Sequence, residues 1–205
     1  RLFGYEIIDQ NNFTSPSLKK ELNENLSIIN EKSIILPLGE VKISRKISSV
    51  LIIIRVNTEI EIWDQNKKRL FEKSKIEYSI RSINSIVNSI SFCKKIYPNL
   101  KIKTIIIDDN STKENLKKIN EVCMNSEIEI ISLDHKKYSL KIRKQKTKET
   151  FSNLASLMQI FEIGKEKSDD LIFFLEDDYI HYESMLEESI ATYERVSSQI
   201  GKDIF

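Results

Sequence analysis

The sequence predicts an α/β domain with a mostly parallel sheet flanked by helices, on three observations. Short β-branched or apolar runs alternate with amphipathic helical stretches from residue 49 onward, the pattern of strands joined by helical crossovers. The first run, Val50-Leu51-Ile52-Ile53-Ile54, is apolar at every position, as a strand covered on both faces must be. Two later runs end in carboxylates: Ile105-Ile106-Ile107 in Asp108-Asp109, and Leu171 to Leu175 in Glu176-Asp177-Asp178.

Residues 1–48 read as an amino-terminal extension. Within it, Ser17 to Ile29 has helical spacing at Leu18, Leu22, Leu26 and Ile29, and Ser33 to Leu36 suits a short strand;. After the first strand, Arg55-Val56-Asn57-Thr58 leaves the sheet, and 59–75 form a polar connection containing Trp63 and a local cluster of Lys and Arg. A helix follows over about 77–96, its apolar residues Ile80, Ile83, Ile86, Val87 and Ile90 recurring at three and four, with Pro98 as its stop;. Next come a strand at 102–107, a helix at 113–124 and a strand from Glu127 to Leu133. A loop at 134–149 is dense in Lys and Arg. Then follow a helix from Thr150 to about Ile163, the strand at 171–175 and a helix from near Tyr182.

At 205 residues and a net charge of +1, the chain can bury one sizeable core and gives no electrostatic reason for nucleic-acid binding. Cys93 and Cys123 lie far apart in helical patterns, which fits buried free thiols in a reducing cytoplasm rather than a disulfide or zinc site;. No apolar run approaches the roughly 18 residues of a membrane span. Arg1 in place of Met, and Lys202-Asp203-Ile204-Phe205 reading as the opening of another strand, lead us to expect a piece of a longer protein, cut at its carboxyl end.

The carboxylates carry the chemistry. Three consecutive acids on one strand tip repel one another unless a cation sits among them, and hard oxygen ligands suit Mg²⁺ or Mn²⁺. Strand alternation would turn Glu176 and Asp178 to one side and Asp177 to the other, giving a two-point grip on one divalent ion. His181, three positions later, is close enough to join it. An acidic turn capping the next helix is the bland alternative. Asp108-Asp109 is a second acidic tip, followed by Asn110, Ser111 and Thr112 as helix-capping material. In an open parallel sheet ligands bind outside the carboxyl ends of the strands, so two such tips imply one shared crevice. The cationic loop follows a strand on that same edge, where a diphosphate would meet both metal and lysine.

The order of these features resembles the donor-binding half of a GT-A glycosyltransferase, of the large inverting family 2 group, over about residues 49–195. Ile107-Asp108-Asp109-Asn110-Ser111-Thr112 is similar to the family's Asp-Asp-Gly-Ser-Thr signature, Glu176-Asp177-Asp178 to its DXD element with Glu first, and Ser82-Ile83-Asn84-Ser85-Ile86 to its small-residue helix. The resemblance implies the Rossmann-like architecture of nucleotide-diphospho-sugar transferases. It also implies metal-dependent, inverting transfer of a sugar from a nucleoside-diphosphate sugar, a UDP-sugar first, to a glycan or lipid-linked acceptor hydroxyl in polysaccharide biosynthesis. By the same likeness Asp109 would take the nucleobase edge with Asp108 supporting its turn. Glu176 or Asp177 would approach ribose and sugar, Asp178 with Glu176 would hold Mn²⁺ or Mg²⁺, and Lys146 and Lys148 would approach the nucleotide. The general base would lie in sequence beyond this chain, and the location would be cytoplasmic, at the inner face of the membrane for a lipid-linked acceptor.

Two features depart from the family. Arg55 and Val56 replace a small hydroxyl and an aromatic residue, and the connection 57–76 is long. The alternatives are a non-catalytic nucleotide-binding or scaffolding domain of the same fold, and a Mg²⁺-binding receiver-like signalling module. A sugar nucleotidyltransferase would need a glycine-rich loop after the first strand, and Arg55-Val56-Asn57-Thr58 has no glycine.

Overall fold

Eight-residue β1 (Ser49–Val56) is the hub of the sheet. In the computed structural model, which describes residues 42–59, 73–124, 126–143 and 147–204, β1 pairs in parallel with both β2 (Lys101–Asp108) and β4 (Leu171–Glu176). β3 (Ile128–Ser132) adds outside β2, giving the order β3-β2-β1-β4. The expected helix at 17–29, the strand at 33–36, Trp63 and Lys146 lie outside the described residues.

Between the strands run α1 (Lys75–Ile96), α2 (Lys113–Cys123), α3 (His135–Ser139) and α4 (Lys148–Lys167), and α5 (Met185–Ile200) follows β4. With right-handed crossovers, α1 and α2 advance the chain across one face, and α4 carries it back across the other. The order reverses between β1 and β4, and such a switch point opens a crevice at the carboxyl ends of those two strands. This order is compatible with a Rossmann-like fold, whose strands run 3-2-1-4;. The receiver-like alternative belongs to the 2-1-3-4-5 type, in which the third strand rather than the fourth neighbours the first.

Alternation along the strands divides the core. Leu51, Ile53, Ile105 and Ile107 cluster with Ala155 and Ile160 of α4. Val50, Ile52, Ile54 and Ile106 are as deeply buried on the opposite pleat. Because each of these side chains is buried almost completely, each contributes about 1.5–3 kcal/mol of transfer free energy. α4 and the sheet approach closely at Gly164, where an added Cβ would sit 3.1 Å from the Ile172 Cδ1 methyl. Helix starts follow capping chemistry: Thr112 accepts from Asn115 N at 3.2 Å and Thr147 from Thr150 N at 3.2 Å;. Cys93 and Cys123 are buried free thiols, and burial pushes both up to about 11.

Two expectations are corrected. The cationic loop after β3 contains α3, which forms because Asp134 caps Lys137 N at 2.9 Å and Tyr138 is buried beneath it. Residues 202–204 contain no strand. Gly201, at φ 67°, ends α5, and Lys202 N returns to Ser197 O at 3.2 Å, a closing turn that the left-handed glycine permits;.

The chain divides into two compact units. The sheet unit is Ile47–Thr192; the other comprises Arg1–Lys46 and Tyr193–Phe205. Within the latter, Ser198 Oγ accepts the Ser44 and Arg45 amides at 3.0 Å each, and Arg45 pairs with Asp203 at 2.8 Å. Among the described residues no helix is long and apolar enough to cross a membrane.

Candidate functional site

The two acidic tips flank β1 at one edge of the sheet. Register pairs Val56 with Asp108 on one side and Arg55 with Glu176 on the other, so the tips stand two strand spacings, about 10 Å, apart.

On the β2 side, Asp108 and Asp109 are both buried. Burial is the first cause raising the Asp108 pKa above the usual carboxylate range; bonding to Ser111 opposes it, and the neighbouring Asp109 and Glu59 charges add to it. Asp108 Oδ2 accepts Ser111 N at 3.3 Å, whereas its Oδ1 and the Ser111 hydroxyl are buried without a hydrogen-bond partner. Asn110 takes a left-handed turn, φ 59°, which asparagine tolerates better than most side chains;. Asp109 is tied on both oxygens: Asn57 Nδ2 donates to Oδ2 at 2.9 Å, and His135 Nε2 bonds Oδ1 at 2.8 Å. Thr58 and Asn115 both donate to Glu59 Oε1, at 2.9 and 3.0 Å, which closes the rim beside α2.

On the β4 side, the acids diverge as alternation requires. Glu176 faces α4: Arg55 bridges it at 2.5 Å and also donates to Asn153 Oδ1. Asp177 faces α1 and is buried, paired with Lys75 Nζ at 2.8 Å and bonded by the Ser79 hydroxyl. Asp178 is exposed in the turn that follows. A row of serines on α1 fastens this acidic segment. Beyond Ser79, Ser82 Oγ lies 3.4 Å from Glu176 O, Ser85 Oγ accepts His181 N at 3.0 Å, and Ser89 Oγ accepts Leu186 N at 3.0 Å. His181 Nε2 is buried without a partner, and burial lowers the pKa of its ring.

Lys148 is the first residue of α4 and is exposed. α3 is held to α4 by Glu162, which takes Lys137 at 2.5 Å, Lys141 at 2.7 Å and the Tyr138 hydroxyl at 2.7 Å.

The chain matches no family model, no curated protein and no solved structure. Its own geometry is therefore the guide. Among the described residues, no three His, Cys, Asp or Glu side chains converge as a ready-made metal cage. Mg²⁺ and Mn²⁺ do not require one, since they are commonly held by one or two carboxylates with water and substrate phosphate completing the shell. The exposed Asp178 carboxylate suits that donor set, and Glu176 has a second oxygen beyond the one that Arg55 holds. A separate cleft of about 560 Å³, lined by Ser49, Lys94, Lys101, Lys103 and Lys167 among others, opens at the amino edge of the sheet, away from the acids.

Sequence reasoning did not foresee the partners of these acids. Arg55 appeared only as a departure from a family pattern, and neither His135 nor Lys75 was singled out. The signal for His135 was its position three residues beyond the end of β3; the alternation of Arg55 toward the Glu176 face was readable once β1 and β4 were neighbours.

Proposed function

We propose that this chain is the nucleotide-sugar-binding part of a GT-A-like glycosyltransferase, transferring a sugar from a nucleoside-diphosphate sugar to an acceptor hydroxyl. The observation that carries the proposal is the pairing of β1 with both acid-tipped strands, which sets the two acidic tips on either side of one strand end at the switch-point edge;. In this reading the nucleoside sits at the Asp109 end, and the diphosphate lies toward Asp178 with Lys148 able to approach it. Asp178, with the outer oxygen of Glu176, would hold a divalent ion. That ion, when bound, would supply Lewis-acid stabilisation of the departing diphosphate. The chain's own residues orient and neutralise: Arg55 holds Glu176 in place, the α1 serines fix the acidic turn, and buried Asp108 shapes the turn that presents Asn110.

The test is calorimetric titration of UDP and GDP with and without Mn²⁺. Saturable binding that requires the ion, weakened about tenfold or more by Asp178→Ala, supports the reading; absence of binding to any nucleotide tried refutes it. A second reading, a nucleotide-binding domain without turnover, draws on the ion pairs of Glu176 with Arg55 and Asp177 with Lys75, which neutralise two of the three acids from within. Hydrolysis of a UDP-sugar, abolished in Asp178→Ala, would exclude it.

A further inference from the structure

Asp109 is a poor candidate for direct contact with a ligand. Its side chain is 4% exposed, and both oxygens are already engaged, Oδ2 by Asn57 at 2.9 Å and Oδ1 by His135 at 2.8 Å. Asn110 Nδ2 approaches the same Oδ1 at 3.5 Å and lies 2.9 Å from His135 Nε2. A carboxylate only accepts, so the 2.8 Å contact with Asp109 puts the ring proton of His135 on Nε2;. In a neutral imidazole with Nε2 protonated, Nδ1 is a lone-pair acceptor.

His135 differs from Asp109 in access. Its side chain is 28% exposed, and among the described residues the hydrogen bonds of its ring run through Nε2. The ring is held rather than loose. It lies against Phe151 of α4, centroids 6.0 Å apart with the planes tilted by 31°, and it opens α3, which Asp134 caps and Glu162 anchors. A buried carboxylate behind a partly exposed imidazole fixes both its tautomer and its direction, as outer hydrogen-bond partners do for functional histidines generally.

Building on the nucleotide reading, we propose that His135 rather than Asp109 is the group that meets the nucleobase. Asp109 is its positioning residue, and the imidazole accepts the imide N–H of a uracil-type base at Nδ1. A base methylated at that nitrogen offers no proton and sets a methyl group against the acceptor. Bases without an imide N–H there are likewise discriminated against.

The experiment is titration at pH 8, with Mn²⁺, of UDP and of UDP methylated at uracil N3 into the wild-type chain, His135→Gln and Asp109→Asn. The wild type is expected to prefer UDP by about tenfold or more. His135→Gln keeps a donor for Asp109 but no acceptor in the Nδ1 position, so both nucleotides should bind equally and weakly, with an unchanged melting temperature. Asp109→Asn should shrink the preference and move the ¹⁵N resonances of His135 away from the Nε2-protonated tautomer, a shift that a purely structural role would not produce. Equal wild-type affinities for the two nucleotides, or a preference that survives His135→Gln, overturns this inference while leaving nucleotide binding intact. Failure of both UDP and its methylated analogue to bind overturns this inference, and failure of GDP as well, titrated as above, overturns the nucleotide reading with it.

Discussion

Replacing Lys75 with methionine should destabilise the sheet unit by about 2–3 kcal/mol, out of proportion to the loss of one lysine near a helix start. The estimate begins with the roughly 3–5 kcal/mol cost of stranding one member of a buried ion pair. Lys75 and Asp177 are 13% and 9% exposed, so residual water trims that figure. Ser79 continues to bond the stranded carboxylate. A cation in the first turn of α1 also opposes the helix dipole by about 0.3–1 kcal/mol, which methionine relieves. Urea unfolding followed by far-ultraviolet circular dichroism measures the change, with an unchanged m-value confirming that the unfolded state is the same. Asp177→Asn should cost less, because the lysine stem can carry its charge outward. The double variant should lose about 1–2 kcal/mol less than the sum of the two. A Lys75→Met midpoint within about 0.5 kcal/mol of wild type, or additive single losses, would refute the argument that Asp177 is an anchor for α1.

Two further outcomes follow from titrating groups. Asp108 has a raised pKa because it is buried, so folding favours its protonated form; that contribution is complete below the unfolded value of 3.8 and lost as pH rises through the folded one. Asp108→Asn, permanently neutral and still able to accept Ser111 N, should therefore raise the melting temperature at pH 7 and converge with wild type under acid. Glu162 has the opposite sign. Hydrogen bonds from Lys137, Lys141 and Tyr138 hold it down to about 2, so its contribution is present above 4.5 and disappears as pH falls toward 2. A melting-temperature profile from pH 2 to 6 should show that step in wild type and lack it in Glu162→Gln.

Strand and helix existence was legible because the chain's local signals agree with its fold. The uniformly apolar Val50 to Ile54 could only be an interior strand, and it pairs on both sides. The acidic tips were legible for the same reason, since each terminates an apolar run. What stayed hidden depended on adjacency that no local pattern encodes. His135 reaches Asp109 only because β3 lies beside β2, and Arg55 reaches Glu176 only because β4 returns to the far side of β1. α3 was hidden in a run of lysines, whose charge masked the single buried Tyr138 that makes the turn worth forming. The strand opening expected over 202–205 finds no strand at 202–204, where the left-handed backbone of Gly201 closes α5 on itself.

The serines of α1 link the fold to the site. Serine is an indifferent helix former, and Ser79, Ser82, Ser85 and Ser89 recur at spacings of three and four, which places them on one face. A stripe of alanines there would give a more stable isolated helix. The stripe instead meets the segment from Glu176 to Leu186, where the backbone has left the sheet and two of its amides have no strand partner. Each hydroxyl accepts or donates one bond to that segment, so backbone groups that would otherwise be buried unsatisfied are paired. The consequence is a short acidic turn held from behind along its length, with Asp178 the one acid of the three that has neither a lysine nor an arginine partner among the described residues. Arg55 and Lys75 neutralise its neighbours, which lowers the repulsion that three adjacent carboxylates would otherwise exert. An exposed carboxylate on a turn fixed in this way needs little reordering to meet a cation. Ser85→Ala should therefore speed hydrogen exchange at the His181 amide and weaken Mn²⁺ binding together, whereas a change in exchange with Mn²⁺ affinity intact would separate the serine row from the site.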